Sequence, residues 1–276
     1  MTEIGRNNPS LSVTIPGRPD AVITLAWAAV TDTGKRRAAN EDSFVARSPL
    51  FAVADGMGGH SAGDLASAAV VERLAEIVGA DFLSPRTIER ALERATADIT
   101  TIAGDSVLGV GTTVTGAALT VQDDDAYFAV FNIGDSRVYA FDGTDLIQVT
   151  VDHSVVQELV ESGALTRAEA ENHPDSNIIT RAVGFNAQPY PDFWMLPLHP
   201  GLRLLLCSDG LTKELADDVI RTHMASGRDP DDTASALVDA ALASGGRDNV
   251  TAIVVDVIAA PDILDIEDTA PRAPRT

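Results

Sequence analysis

At four places in this chain a short apolar run meets a glycine-rich turn that carries an aspartate. Phe51-Ala52-Val53-Ala54 runs into Asp55-Gly56-Met57-Gly58-Gly59, and Phe131-Asn132-Ile133 into Gly134-Asp135-Ser136. Leu204-Leu205-Leu206-Cys207 runs into Ser208-Asp209-Gly210, and Gly245-Gly246-Arg247-Asp248-Asn249 opens directly onto the apolar run 250–257. A fifth acidic step, Asn40-Glu41-Asp42, lies between the first apolar run and the next. A single Asp-Gly step is ordinary turn chemistry. A solvated turn, however, needs no long apolar strand feeding it, and neighbouring glycines let the backbone come close to an ion or ligand. Five such steps together imply strands whose ends converge on an acidic site.

The runs at 22–30, 50–54, 112–121, 126–133, 137–141, 203–207 and 250–257 are short, apolar and rich in β-branched or aromatic residues, so they are read as strands. Asp142-Gly143 between Val138-Tyr139-Ala140-Phe141 and Leu146-Ile147-Gln148 signals a hairpin. Amphipathic spacing and capping residues predict helices over 61–78, 85–103, 152–162, 166–173 and 230–243; Ser84-Pro85 and Asp229-Pro230 are start signals. Strands and helices come in blocks, without regular β-α-β alternation. That excludes a doubly wound parallel sheet and fits an α+β fold of largely antiparallel sheets with helices packed outside. Residues 1–20 are polar and carry Pro9, Pro16, Gly17 and Pro19, which predicts a flexible arm, and residues 261–276 read as a flexible tail. No repeat or linker divides residues 21–260, which are taken as one domain.

Charge narrows the function. Asp and Glu number 41 against 20 Lys and Arg, for a formal net charge of −21. Such a surface repels phosphate backbones and anionic membranes, so neither nucleic acid nor membrane is an expected partner. No apolar run approaches the ~18–20 residues of a membrane helix, and the N-terminus lacks a signal-peptide pattern. One cysteine, Cys207, allows no intramolecular disulfide or thiolate zinc cage and suits a reducing compartment. A cytoplasmic monomer is the expectation. Of the acids, 29 are Asp. Hard oxygen donors without a His or Cys cluster favour Mg²⁺ or Mn²⁺ over Zn²⁺.

In order along residues 26–257, the motifs resemble the bacterial branch of the type 2C metal-dependent Ser/Thr protein phosphatases. The series is Gly34-Lys35-Arg36-Arg37-Ala38-Ala39-Asn40-Glu41-Asp42-Ser43, Asp55-Gly56-Met57-Gly58-Gly59-His60 with Gly63, Gly111-Thr112-Thr113, Gly134-Asp135-Ser136-Arg137, Asp152-His153-Ser154, Ser208-Asp209-Gly210 and Gly246-Arg247-Asp248-Asn249-Val250-Thr251. The resemblance implies a four-layer α-β-β-α sandwich with two central, mostly antiparallel sheets. It also implies a phosphatase that cleaves phosphoserine and phosphothreonine by direct attack of a metal-bridging hydroxide, with two catalytic Mn²⁺ or Mg²⁺ ions and a third beside them. By the same resemblance Asp55 and the Gly56 carbonyl, with Asp209 and Asp248, are ligands, and Glu41 and Asp42 hold an ion or its waters. Asp135 with Asp209 marks the third position, and Arg37 binds the substrate phosphate. Asn249 contacts a metal-held water, and His60 is assigned a supporting place. Residues 150–184 match a mobile flap. The implied partners are phosphorylated proteins, Ser/Thr kinases and their substrates among them. One departure stands out: Met57 follows Asp55-Gly56 where eukaryotic members carry a histidine proposed as general acid, so water is the expected proton donor.

Competing readings lack their residues. A cysteine-based phosphatase needs an arginine six positions after its cysteine, and that position is Lys213. Asp229-Pro230-Asp231-Asp232-Thr233 has the letters of a haloacid-dehalogenase motif, but a helix start with an acidic first turn explains it. A catalytically dead phosphoprotein-binding relative would show a lost ligand, and the series shows none.

Overall fold

The computed structural model describes residues 1–58, 62–104, 109–170, 173–185 and 188–261. The tail expected from 261 onward lies, after that first residue, outside the described residues.

In chain order, β1 (Glu3–Gly5), β2 (Asn8–Ile15), β3 (Arg18–Asp32), β4 (Asp42–Arg47) and β5 (Leu50–Met57) lead into helices α1 (Ala62–Glu76) and α2 (Pro85–Ala103). Strands β6 (Gly111–Thr112), β7 (Val114–Gln122), β8 (Asp125–Ile133), β9 (Arg137–Phe141) and β10 (Leu146–Gln148) follow, then the short helices α3 (Val155–Glu161) and α4 (Arg167–Ala170). The chain continues through β11 (Asp192–Pro197), β12 (Arg203–Cys207), α5 (Asp209–Thr212), α6 (Asp217–Met224), α7 (Pro230–Ser244) and β13 (Val250–Ala259).

One sheet has the order β1-β4-β5-β7-β8-β11, with β6 beside β5; the other has the order β10-β9-β12-β13-β3-β2. All of these pairs are antiparallel except β1 with β4. The period-2 alternation of strands explains the layers. Phe51 and Val53 of β5 and Leu204 and Leu206 of β12 meet in the core between the sheets. Their neighbours point outward: Leu50, Ala52 and Ala54 pack under α1 and α2, and Leu205 and Cys207 pack under α5, α6 and α7. The result is the four-layer α-β-β-α sandwich, of α+β class, that the sequence predicts. Among the described residues no helix is long and apolar enough to cross a membrane.

Local signals account for the elements. Ser84 caps α2 by accepting from the Thr87 N–H at 3.2 Å, and Asp229 caps α7 by accepting from the Asp232 N–H at 2.9 Å. The hairpin between β7 and β8 turns on Asp123 and Asp124, both at positive φ (52° and 66°). That is the geometry a two-residue turn between twisted strands requires.

The flexible arm expected over residues 1–20 is not what the structure contains. β1 runs parallel to β4, β2 pairs with β3 as an edge strand, and β3 itself begins at Arg18. Trp27 Nε1 donates to the Arg6 and Ala46 carbonyls, and the Ala29 N–H donates to Asn7 Oδ1. The misleading prolines fall where strands tolerate them: Pro9 lies in the register shift between Asn8 and Leu11, on an edge.

Candidate active site

The acidic steps come together because the strands carrying them lie side by side. In the β4–β5 register Asp42 stands directly opposite Asp55. β12 pairs with β13, so Asp209, just past the end of β12, sits near Asp248, just before β13. Asp135 occupies the turn from β8 into β9, and β9 is the other neighbour of β12.

Each carboxylate is held differently. Asp42 is buried; its Oδ2 accepts from Ser208 Oγ at 2.8 Å and Thr251 Oγ1 at 2.6 Å, while Oδ1 has no partner among the described residues. The two hydroxyls are themselves fixed. Ser208 Oγ accepts from the Thr251 N–H, and Thr251 Oγ1 meets Thr31 Oγ1, which accepts from Asn40 Nδ2. Asp55 is anchored through its backbone: its N–H donates to Thr113 Oγ1, and its carbonyl accepts from the Thr113 N–H and Thr112 Oγ1. Asp209 opens α5; Oδ2 is ion-paired with Lys213, and Oδ1 is buried without a partner among the described residues. Asp248 receives a two-point contact from Arg37, Nε to Oδ1 and Nη2 to Oδ2, both at 2.7 Å.

Burial and mutual repulsion shape the electrostatics. Loss of hydration pushes Asp42 up to about 7, against the pull of its two hydroxyl bonds. Asp135 is likewise pushed up to about 7 by burial and then by Asp209, with Lys213 opposing. Asp55 lies well above the usual carboxylate range, through burial first and then the charges of Asp42, Asp209, Asp135 and Asp248. Glu41 is raised by burial and drawn back by Arg37. Six carboxylates therefore share this end of the sandwich with two cations, Arg37 and Lys213.

Glycines set how closely the pieces approach. A side chain at Gly56 would collide with the Gly63 carbonyl oxygen at 2.1 Å and the Glu41 carbonyl oxygen at 2.7 Å, so Gly56 packs the β5 end directly onto the start of α1. Gly134 turns at φ +109°, with the Thr113 side chain where a Cβ would lie. Its loop is clasped by His153, whose Nδ1 accepts from the Gly134 N–H at 3.1 Å and whose N–H donates to the Gly134 carbonyl at 2.9 Å. Residues 150–184 are thus stapled to the site at one end by His153. At the other end Val183 exchanges both backbone bonds with Thr112.

A divalent ion fits this donor set. Among the described residues three buried carboxylate oxygens lack any hydrogen-bond partner: Asp42 Oδ1, Asp209 Oδ1 and, at the start of α1, Asp64 Oδ1. A buried unpartnered anion is costly unless a cation meets it. Among the described residues, no three such side chains close round one point as a ready-made cage. Arg37 and Lys213 lie on two of the carboxylates instead.

The structure places the other expected residues as follows. Asn249 is committed to the backbone: Oδ1 accepts from the Glu41 N–H at 2.8 Å, and Nδ2 donates to the Thr33 and Ala39 carbonyls. It pins the loop carrying Arg37 and Glu41, and only the second lone pair of Oδ1 is left for a water. His60 lies outside the described residues. Ser208 and Thr251, the hydroxyl pair on Asp42, carried no role in the sequence reading. Lys213 was passed over too, although its place four residues after Asp209 is an ion-pair signal.

The chain matches the family described as Protein phosphatase 2C over residues 34–243. It is 38% identical over 242 residues to the serine/threonine protein phosphatase PstP of Mycobacterium tuberculosis, a match covering 86% of this chain and 46% of that relative. It therefore spans about half the length of that protein. It is 34% identical over 239 residues to the serine/threonine phosphatase stp of Listeria monocytogenes, covering 82% of this chain and 93% of the relative. Its fold superposes with a TM-score of 0.74 on the catalytic domain of PstP in complex with two manganese ions, at 35% identity over 86% of this chain and 99% of that one. Ordered motifs, sandwich and relatives agree, and the chain belongs to the protein phosphatase 2C family in its bacterial form.

Proposed function

We propose that the chain hydrolyses phosphoserine and phosphothreonine in proteins, using Mn²⁺ or Mg²⁺ held by the converging carboxylates. The observation that carries this reading is that, among the described residues, Asp42 and Asp209 each keep a buried oxygen without a partner, beside Asp55, whose pKa is raised by burial and by the charges of Asp42, Asp209, Asp135 and Asp248. Divalent ions bound there supply an acidified water at neutral pH and neutralise the charge of a phosphate.

The chain's own residues do the rest. Asp55, Asp209 and Asp248, with the Gly56 carbonyl, hold the ions; Asp42 and Glu41 complete the acidic wall or orient water. Arg37, half exposed beside Asp248, reaches the entering phosphate with the two-point fork that suits phosphate oxygens. Ser208 and Thr251 keep Asp42 in place, and Asn249 keeps the Arg37 loop in place. No side-chain nucleophile is required. The water oxygen becomes part of the released phosphate as the bond to the Ser or Thr oxygen breaks, and that oxygen takes its proton from solvent, since Met57 follows Gly56. Asp135 stands with Asp209 where the family's third ion position would lie, and the described residues between 150 and 184 form a movable rim. A cytoplasmic monomer opposing Ser/Thr kinases is the setting that suits the acidic surface and the relatives' names.

The test is turnover of a phosphothreonine peptide and of p-nitrophenyl phosphate by folded, chelator-stripped protein to which Mn²⁺ is returned. Mn²⁺-dependent release of phosphate from both is expected; a folded protein without it overturns the reading.

A further inference from the structure

We propose that Lys213 supplies, at Asp209 and Asp135, the positive charge a third divalent ion would bring, so that the chain fills two ion positions and admits a third only by displacing Lys213. The inference rests on the metal-dependent reading above.

The two oxygens of Asp209 are unequal. Oδ1 is buried and has no partner among the described residues, while Oδ2 is occupied by the Lys213 ammonium. Lys213 is placed there by its backbone. Its N–H donates to the Asp209 carbonyl at 2.8 Å, which closes the turn of α5 and sets the side chain four residues on, over its own helix start. The turn is held from outside, because Arg247 Nη2 donates to the Lys213 carbonyl and Arg247 is itself neutralised by Glu214. Lys213 is therefore the cation in contact with Asp209. Asp135, the other acid of the expected third position, lies in the turn from β8 into β9, and β9 pairs with β12, the strand that Asp209 and Lys213 follow.

Charge balance points the same way. Once bound ions hold them ionised, the six acids expected as ligands carry six negative charges, and Arg37 and Lys213 return two. Two divalent ions bring four more, which neutralises the resting site. A third ion would leave two positive charges uncompensated and would have to bind beside an ammonium already on its ligand. Like charges in contact at a half-buried site repel strongly. A tethered ammonium also needs no stripping of a hydration shell from a free ion.

Calorimetric Mn²⁺ titration of the chelator-stripped, full chain tests this without reference to turnover. The wild type is expected to bind two Mn²⁺. Lys213→Met, similar in length but uncharged, should bind a third, or bind it at least ~10-fold more tightly. Lys213→Arg keeps the charge and should remain at two. Adding Asp135→Asn to Lys213→Met should remove the gained ion. A thermal melt of each variant establishes that it is folded. Two ions in both wild type and Lys213→Met, at equal affinities, would overturn the inference alone. A third ion gained equally by Lys213→Arg, or one that survives Asp135→Asn, would also overturn it. A folded wild type that takes up no Mn²⁺ would overturn the metal-dependent reading, and this inference with it.

Discussion

The two ends of β12 carry opposite solutions to the same problem. At its start Arg203 is buried, and all five of its N–H groups are used. Nε and Nη2 grip Asp256 at 2.6 and 2.7 Å, Nη1 donates to the Met224 carbonyl and Thr233 Oγ1, and Nη2 also donates to the Arg228 carbonyl. Past its end, one short strand away, Asp209 Oδ1 is buried without a hydrogen-bond partner among the described residues, in a cluster whose charges act on Asp55. The closed pair is a staple between β12, β13 and the α6–α7 connection. The open end holds repulsion that an ion relieves. The same chain satisfies a buried charge completely at one end of a strand and leaves one bare at the other, which is what the proposed ion binding requires.

The sharpest way to break this comparison is to remove an open charge. Asp55→Asn or Asp209→Asn should lower Mn²⁺-dependent turnover by roughly 10³-fold or more, read with p-nitrophenyl phosphate. The metal-free Asp55→Asn protein should melt higher than the metal-free wild type, since a buried, repelled charge is gone. Normal turnover in either variant would break the site assignment. Next, opening the closed end with Arg203→Ala should cost about 3 kcal/mol of stability in denaturant unfolding, while the folded fraction keeps its turnover per molecule. Third, Mn²⁺ at a hundred times its dissociation constant should stabilise the wild type by ~2.7 kcal/mol per ion. A melting temperature indifferent to Mn²⁺ contradicts an open end.

Fourth, pH should act on the metal-free chain. Asp42 and Asp135 titrate near 7 when folded, against ~3.9 when unfolded. Between those values the folded state binds more protons, so stability is lost as pH rises from about 4 through 7. The metal-free melting temperature should therefore be lower at pH 7.5 than at pH 5.5, and Mn²⁺ should erase or reverse the difference. The smallest effect falls on Arg37. Arg37→Ala should raise KM by ~10-fold, a loss of about 1.4 kcal/mol of binding, with kcat less affected. An unchanged KM would leave Arg37 as no more than the partner of Asp248.

Much of this was legible along the chain, but unevenly. The helices over 85–103 and 230–243 are visible because Ser84-Pro85 and Asp229-Pro230 are local signals, and the structure begins both helices there. The strand at 8–15 was missed although Leu11, Val13 and Ile15 alternate with Ser10, Ser12 and Thr14. The prolines and polar residues suit an edge, where one row of backbone groups faces solvent, and an edge looks like a loop when burial is hidden. The strand at 192–197 is the other case: it lies at the edge of its sheet against β8 and is only half buried. Asp55, Asp135, Asp209 and Asp248 were found from their places beside glycines at strand ends, and Glu41 and Asp42 from the acidic step between two apolar runs. Their hydroxyl partners were not, because Ser208 and Thr251 lie 166 and 209 residues from Asp42.

By itself the sequence determined antiparallel sheets with helices outside and the acids at the strand ends, because periodicity, capping and turn chemistry are local and survive without neighbours; the four layers and the family came from the resemblance of its ordered motifs. The tertiary structure decided which oxygens are open. Whether Asp42 Oδ1 is free, whether Arg37 lies on Asp248 and whether Lys213 lies on Asp209 depend on which strands stand side by side and how much water they exclude. A carboxylate's charge state and its vacancy for an ion are properties of that enclosure, and no residue carries them alone.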